Sequence, residues 1–188
     1  NAPCTVTWWG DQFTSYEVLF DNNPETFLHT EYADVNSKDG LPHYLRIDLG
    51  AENSATFFSF NYQGRHNNSN QNPTAITVEG SNTENGPYEL IAELTSEKDK
   101  LVGSTGGIYN SDILGYSNKS YRYLRFTVTA TNNNAKVATY GHVYFAYAEF
   151  GVSKVNVEIT PLAKYASVTN STYLTEAFNA IRQAQYDY

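Results

Sequence analysis

"YRYLRFTVTA" (residues 121–130) reads as a strand with one apolar face. At a period of two, Tyr121, Tyr123, Arg125 and Thr127 fall on one side, and Arg122, Leu124, Phe126 and Val128 on the other. Six further runs of strand length are alternating or continuously apolar: "TVTWW" (5–9), "HYLRIDL" (43–49), "ATFFSFNY" (55–62), "TAITVEG" (74–80), "YELIAEL" (88–94) and "VYFAYAEFGV" (143–152). "VNVEI" (155–159) reads the same way. Between them lie "GRHNNSNQNP" (64–73), "SNTENGP" (81–87), "GSTGGIYNSD" (103–112) and "TNNNAK" (131–136), rich in residues that tolerate positive φ or bond their own backbone. Many short strands without intervening helices predict an all-β antiparallel sandwich.

Composition agrees. Aromatics make up 15% of the 188 residues, and aromatic side chains pack well on a pleated surface. The net charge of -8 repels phosphate backbones, so nucleic acid is not an expected partner. No basic run attracts anionic lipid, and no stretch reaches the roughly 18 apolar residues of a membrane helix. The single cysteine, Cys4, excludes an internal disulfide and a thiolate zinc cluster. The chain starts with Asn and lacks Met, which suggests a piece of a longer protein whose signal or anchor lies elsewhere.

After Pro161 the pattern changes. Leu174, Ala177, Phe178 and Ile181 follow the spacing of one helix face, with Ser171 or Thr172 placed to cap it. The expected division is therefore a β-sandwich over 1–160 and a helical tail over 161–188, the start of a following module.

No HExxH, GxSxG, GxxxxGK[ST] or GxGxxG motif is present. Cys4 has no evident His partner. Carboxylates are numerous, and sequence alone leaves a glycosidase-type pair open. "FDNNPETFLHTEY" (20–32) is dense in oxygen donors. It is not an EF-hand, because Thr26 and Tyr32 stand where that loop needs Gly and Glu. It reads either as a metal loop of another kind or as an Asx turn without metal.

The ordered series "FDNNPETFLHTEY", "PHYLRIDLG" (42–50), "FNYQGR" (60–65), "ITVEGSNTENGPYELIAEL" (76–94), "YRYLRFTV" (121–128) and "VYFAYAEFGV" resembles the discoidin, or coagulation factor 5/8 type C, domain family. Its bacterial members include the family 32 carbohydrate-binding modules. The resemblance spans about residues 5–152 and departs from the family where Phe27 replaces a usual Trp and Asn22 a usual Gly. The polar loop over 103–120 is also longer than usual for the family.

The resemblance implies an eight-stranded, galactose-binding-domain-like jelly roll that binds rather than catalyses, with ligand held in loops at one end. It implies a structural Ca2+ held by Asp21, Asn23, Thr26, the Ala148 backbone and Glu149. For a sugar ligand it points to Arg65 and Asn72, with Glu31, Asp34 and Asn36 from the preceding loop. A stacking or contacting group would come from Tyr140, His142 or Tyr144. Each has a plainer reading: Arg65 as a rim ion pair, Asn72 as a turn former before Pro73, and His29 as a structural residue. His43 and His66 read as solvated. Trp8 and Trp9 point to opposite sides of their strand, one into the core and one outward.

The expected function is a non-catalytic module for a neutral, galactose- or N-acetylglucosamine-type glycan. Its setting would be a larger secreted or cell-surface bacterial glycosidase or surface protein, with neighbouring domains as further partners. The alternative is an adhesion, protein-interaction or spacer module without sugar binding.

Overall fold

The computed structural model describes residues 16–30, 43–116, 118–133 and 143–156. The expected strand at 5–9, both tryptophans and the tail over 161–188 lie outside them. A short 3-10 helix, Tyr16–Phe20, is followed by β1 (Leu28–His29), β2 (Tyr44–Asp48), β3 (Phe57–Gly64), β4 (Pro73–Ser81) and β5 (Glu89–Thr95). A one-turn helix α1 (Ser96–Asp99) leads to β6 (Ile108–Asn110), β7 (Leu114–Gly115), β8 (Tyr123–Thr131) and β9 (Ala146–Val155). All pairings among these strands are antiparallel. One sheet runs β1-β9-β3-β6, with β7 also on β3, and the other runs β2-β8-β4-β5.

The alternation read from sequence is the burial pattern seen. Phe58, Phe60 and Tyr62 of β3 turn inward, and Ser59, Asn61 and Gln63 turn out. From the opposite sheet Leu124, Phe126 and Val128 of β8 meet them. The aromatic rings interlock: Phe60 and Phe126 lie 4.8 Å apart, Phe126 and Phe150 5.0 Å, and Tyr62 and Tyr147 4.9 Å. These are the separations at which tilted and edge-on rings attract beyond simple burial. The Tyr62 hydroxyl is buried yet satisfied, donating to the Val102 carbonyl at 3.4 Å and accepting from the Val102 N–H at 3.1 Å. Burial raises its pKa well above the usual tyrosine value.

Three expectations change. The segment 103–120, read as loop, contains β6 and β7, which pair with the outer edge and the start of β3. Each is too short for a periodic signal. The run read at 143–152 continues in β9 as far as Val155, while Asn156 is not strand and residues 157–159 lie outside the described residues. His43, read as solvated, is 92% buried by its packing beside β8, and its carbonyl accepts from the Val128 N–H.

One irregularity positions the site. Along β3 and β9 the register runs regularly to Gln63↔Glu149 and then jumps to Gly64↔Tyr147. Ala148 is the extra residue, a β-bulge that re-aims its neighbours at the end of the sheet.

Candidate functional site

Beyond Phe20 the chain folds into a compact turn. Asp21 Oδ1 accepts from the Asn23 N–H at 2.8 Å, and Asp21 Oδ2 accepts from the Thr26 hydroxyl at 2.8 Å. Asn23 Oδ1 accepts from the Glu25 N–H, and the Asn23 carbonyl accepts from the Thr26 N–H. Asn22 sits at φ 57°, the left-handed conformation that Asn tolerates in place of Gly. The Asx turn anticipated from sequence is therefore present.

The turn alone does not account for Glu149. β9 brings this side chain against Asp21, and its Oε1 is buried without a hydrogen-bond partner. Burial first, and then the Asp21 charge, raise the Glu149 pKa, while the N–H groups of Asn23 and Asn22 oppose the rise. Two carboxyl groups held together with one oxygen unsatisfied favour a proton or a cation between them. Asp21, Asn23 and Thr26 are joined in the turn, Glu149 lies against Asp21, and Ala148 is the bulged residue just before Glu149. Among the described residues no three His, Cys, Asp or Glu side chains converge, so the set is two carboxylates plus neutral oxygens.

Phe27 connects this loop to a second cluster. It is buried with Ala146 and Ala148 in a small apolar group of its own. The Arg65 guanidinium lies 4.1 Å over its ring, and the exposed His66 leans on the same ring at 6.0 Å. Arg65 Nε donates to Asn67 Oδ1 at 2.5 Å. Among the described residues Arg65 has no carboxylate partner, unlike the rim pair considered from sequence. Burial lowers its pKa. Its charge also reaches the buried His29, whose pKa falls to about 4, mainly through desolvation. His29 is neutral at pH 7, bonded through Nδ1 to the Thr30 carbonyl at 2.7 Å and stacked on Tyr144 at 5.7 Å. Phe27 and Arg65 form one contact pair and His29 and Tyr144 another, with the Arg65 charge felt at His29.

Asn72 lies fully buried. Its Nδ2 donates to the Ser104 carbonyl at 2.7 Å, and its own carbonyl accepts from the Asn132 N–H. Asn132 Nδ2 in turn donates to the carbonyls of Ser69 and Gly103. The Gly106 N–H donates to the Arg65 carbonyl at 2.9 Å, and Gln63 Nε2 donates to the Gly106 carbonyl. Three loops, over 65–72, 103–107 and 131–133, are therefore tied behind Arg65. Gly64 is required there, because a Cβ would meet Asn72 Oδ1 at 2.6 Å.

Glu31, Asp34, Asn36, Tyr140 and His142 lie outside the described residues. Sequence reasoning missed Phe27 as the platform for Arg65, although its place in the motif was noted. It also missed the 103–107 loop as a brace. The Gly pair at 106–107, where Gly106 has φ 64°, was the available signal.

The F5/8 type C domain model matches residues 4–143, and the chain belongs to that family. No curated protein matches the chain. Its fold is shared by several solved structures. One is CpGH89CBM32-5 from Clostridium perfringens, in complex with GalNAc-β-1,3-galactose, at 17% identity and TM-score 0.53, covering 81% of this chain and 93% of that one. Another is the family 32 module of C. perfringens NanJ in complex with galactose, at 20% identity and TM-score 0.52, covering 81% and 91%. A third is CBM32-3 from a family 31 glycoside hydrolase of C. perfringens, at 20% identity and TM-score 0.52, covering 80% and 90%.

Proposed function

We propose that this chain is a non-catalytic carbohydrate-binding module that takes a neutral, galactose- or N-acetylhexosamine-type glycan at its loop end. The observation that carries this reading is Arg65: a half-buried guanidinium fixed over Phe27, with no carboxylate partner among the described residues. Its planar donors suit adjacent sugar hydroxyls, which accept hydrogen bonds without needing to supply charge. Tyr144, stacked on His29, and His66, against Phe27, are further ring surfaces. Glu31, Asp34, Asn36, Tyr140 and His142 remain proposed contacts. Asn72 supports the site by holding its loops.

We assign Asp21, Asn23, Thr26, Ala148 and Glu149 to a structural Ca2+. The ion would supply the positive charge that the two carboxylates lack. Through Ala148 and Phe27 it would hold the floor beneath Arg65. The solved relatives in complex with galactose and GalNAc-β-1,3-galactose, and the one from a glycoside hydrolase, support the sugar class. They also favour a setting within a larger secreted or surface bacterial protein.

Titration calorimetry of wild type and Arg65→Ala with GalNAc-β-1,3-galactose and N-acetyllactosamine tests this. Micromolar to millimolar binding by wild type, lost in the variant without a change in fold, is expected. Equal binding by the variant would remove Arg65 from the site. Absence of binding by both would favour the adhesion or spacer role.

A further inference from the structure

The outer face of the five-stranded sheet carries a groove of about 390 Å³ that the loop-end site does not use. Strand register builds its floor. Glu149, Gln63 and Ile108 form one row across β9, β3 and β6, and Gly151, Asn61 and Asn110 form the next. Phe20 and Ile108 line the groove with 58% and 57% of their surfaces exposed, unusually open for residues of this size around a concave polar floor. Asn22, from the metal loop, lies at its rim.

Three features suit this groove to a ligand. The Asn61 side chain has no hydrogen-bond partner among the described residues, so its donors and acceptor are unused. Gly151 keeps the floor open, because any Cβ there would meet Asn61 Oδ1 at 2.6 Å. The floor amides of Asn61 and Gln63 are uncharged, and Gln63 is held in place by the bond from its Nε2 to the Gly106 carbonyl. Phe20 adds an apolar ring surface. Anions are disfavoured by Glu149 in the first floor row, and the cation that carboxylate would take is the calcium assigned above. The volume lies within the roughly 300–1,000 Å³ of small-ligand clefts. A polyhydroxylated ring with an apolar C–H face fits both the amides and the phenyl group.

We propose that this groove is a second saccharide subsite, which takes a neutral hexopyranose unit against Phe20 and the Asn61 and Gln63 amides. Asn61 and Gln63 share the outward face of β3, and Arg65 follows two residues further on, just past the strand's end at Gly64. We take a linked sugar chain to run from the groove past Gln63 to the loop end. That continuity rests on the loop-end reading; the groove contact itself does not.

The test is an NMR titration of the full chain in calcium with N-acetyllactosamine, chitobiose and methyl β-galactoside. It follows the side-chain NH2 signals of Asn61 and Gln63 in wild type, Arg65→Ala, Phe20→Ala and Asn61→Ala. The proposal expects these signals to shift in wild type and still to shift in Arg65→Ala. Affinity at the groove should fall at least about tenfold in Phe20→Ala. In Asn61→Ala the Gln63 shift should weaken while the core amide spectrum is retained. Shifts confined to the 65–72 and 103–107 loops would overturn the groove and leave the loop-end site standing. Groove shifts without loop shifts would do the reverse. Groove shifts unaffected by Phe20→Ala, or no groove shift with any probe, would also overturn it.

Discussion

The two outer faces of the sandwich handle charge in opposite ways. On the four-stranded sheet Arg125 is bidentate to Glu79 at 2.8 and 2.9 Å and lies 4.1 Å over the Tyr88 ring. Its cross-strand neighbour Arg46 pairs with Glu84 at 2.6 Å. At the sheet's end Arg122 is bidentate to Asp48, whose pKa falls to about 2 chiefly through that contact. On the five-stranded side Arg65 has no such partner among the described residues, and burial and Asp21 raise the Glu149 pKa. Where cation and carboxylate meet, the face is scaffold. Arg65 and Glu149, without such partners among the described residues, are the charges assigned above to sugar and ion.

This contrast can be broken most sharply at Arg65. Arg65→Ala is expected to abolish measurable sugar binding in calorimetry. Its stability in denaturant melts should fall by no more than the about 1–2 kcal/mol of a partly desolvated cation–π contact. The next largest effect is calcium removal. If calcium is present at about a hundred times its Kd, chelation should cost about 2.7 kcal/mol. At about 2–4 °C per kcal/mol for a chain of this size, calorimetric melting should show a drop of several degrees. Glu149→Gln should remove most of that calcium response.

The pH dependence follows from the two carboxylates. Glu149 has a raised pKa in the folded state, so its protonated form stabilises the chelated protein. That contribution is complete below the ordinary 4.5 and is lost as pH rises through the folded value. The chelated protein should therefore melt higher as pH falls from 7 toward 4.5, and saturating calcium should remove the gain. Asp48 has the opposite sign, its contribution being lost between 3.8 and about 2.

On the closed face, Arg125→Ala leaves a partly buried Glu79 unpaired. It should lower stability by about 1–3 kcal/mol in denaturant melts, with sugar affinity unchanged. The smallest effect is Lys119→Ala. Its pair with Glu89 is about half exposed on both sides, and melting should show no measurable loss.

The sheets were legible because burial imposes a period of two. Leu124, Phe126 and Val128, or Phe58, Phe60 and Tyr62, show their inward face without any structure. The turn over 21–26 was legible in its run of Asp, Asn and Thr, while the proposed calcium ligands came from the family resemblance. Other features were hidden because they depend on register. The Ala148 bulge arises from how β3 and β9 align, and the groove from residues on three strands. Asn72 looked like a contact in a polar loop, and its complete burial depends on Ser104 and Asn132, far away in sequence. His43 at a strand's start gave no sign that the neighbouring strand would cover it.

The central claim is that the module binds sugar, and a glycan array of the wild-type chain in calcium tests it most directly. The account predicts binding to a group of neutral glycans bearing terminal galactose or N-acetylhexosamine, and loss of that group with Arg65→Ala on the same array. A blank array from well-folded, calcium-loaded protein would contradict it.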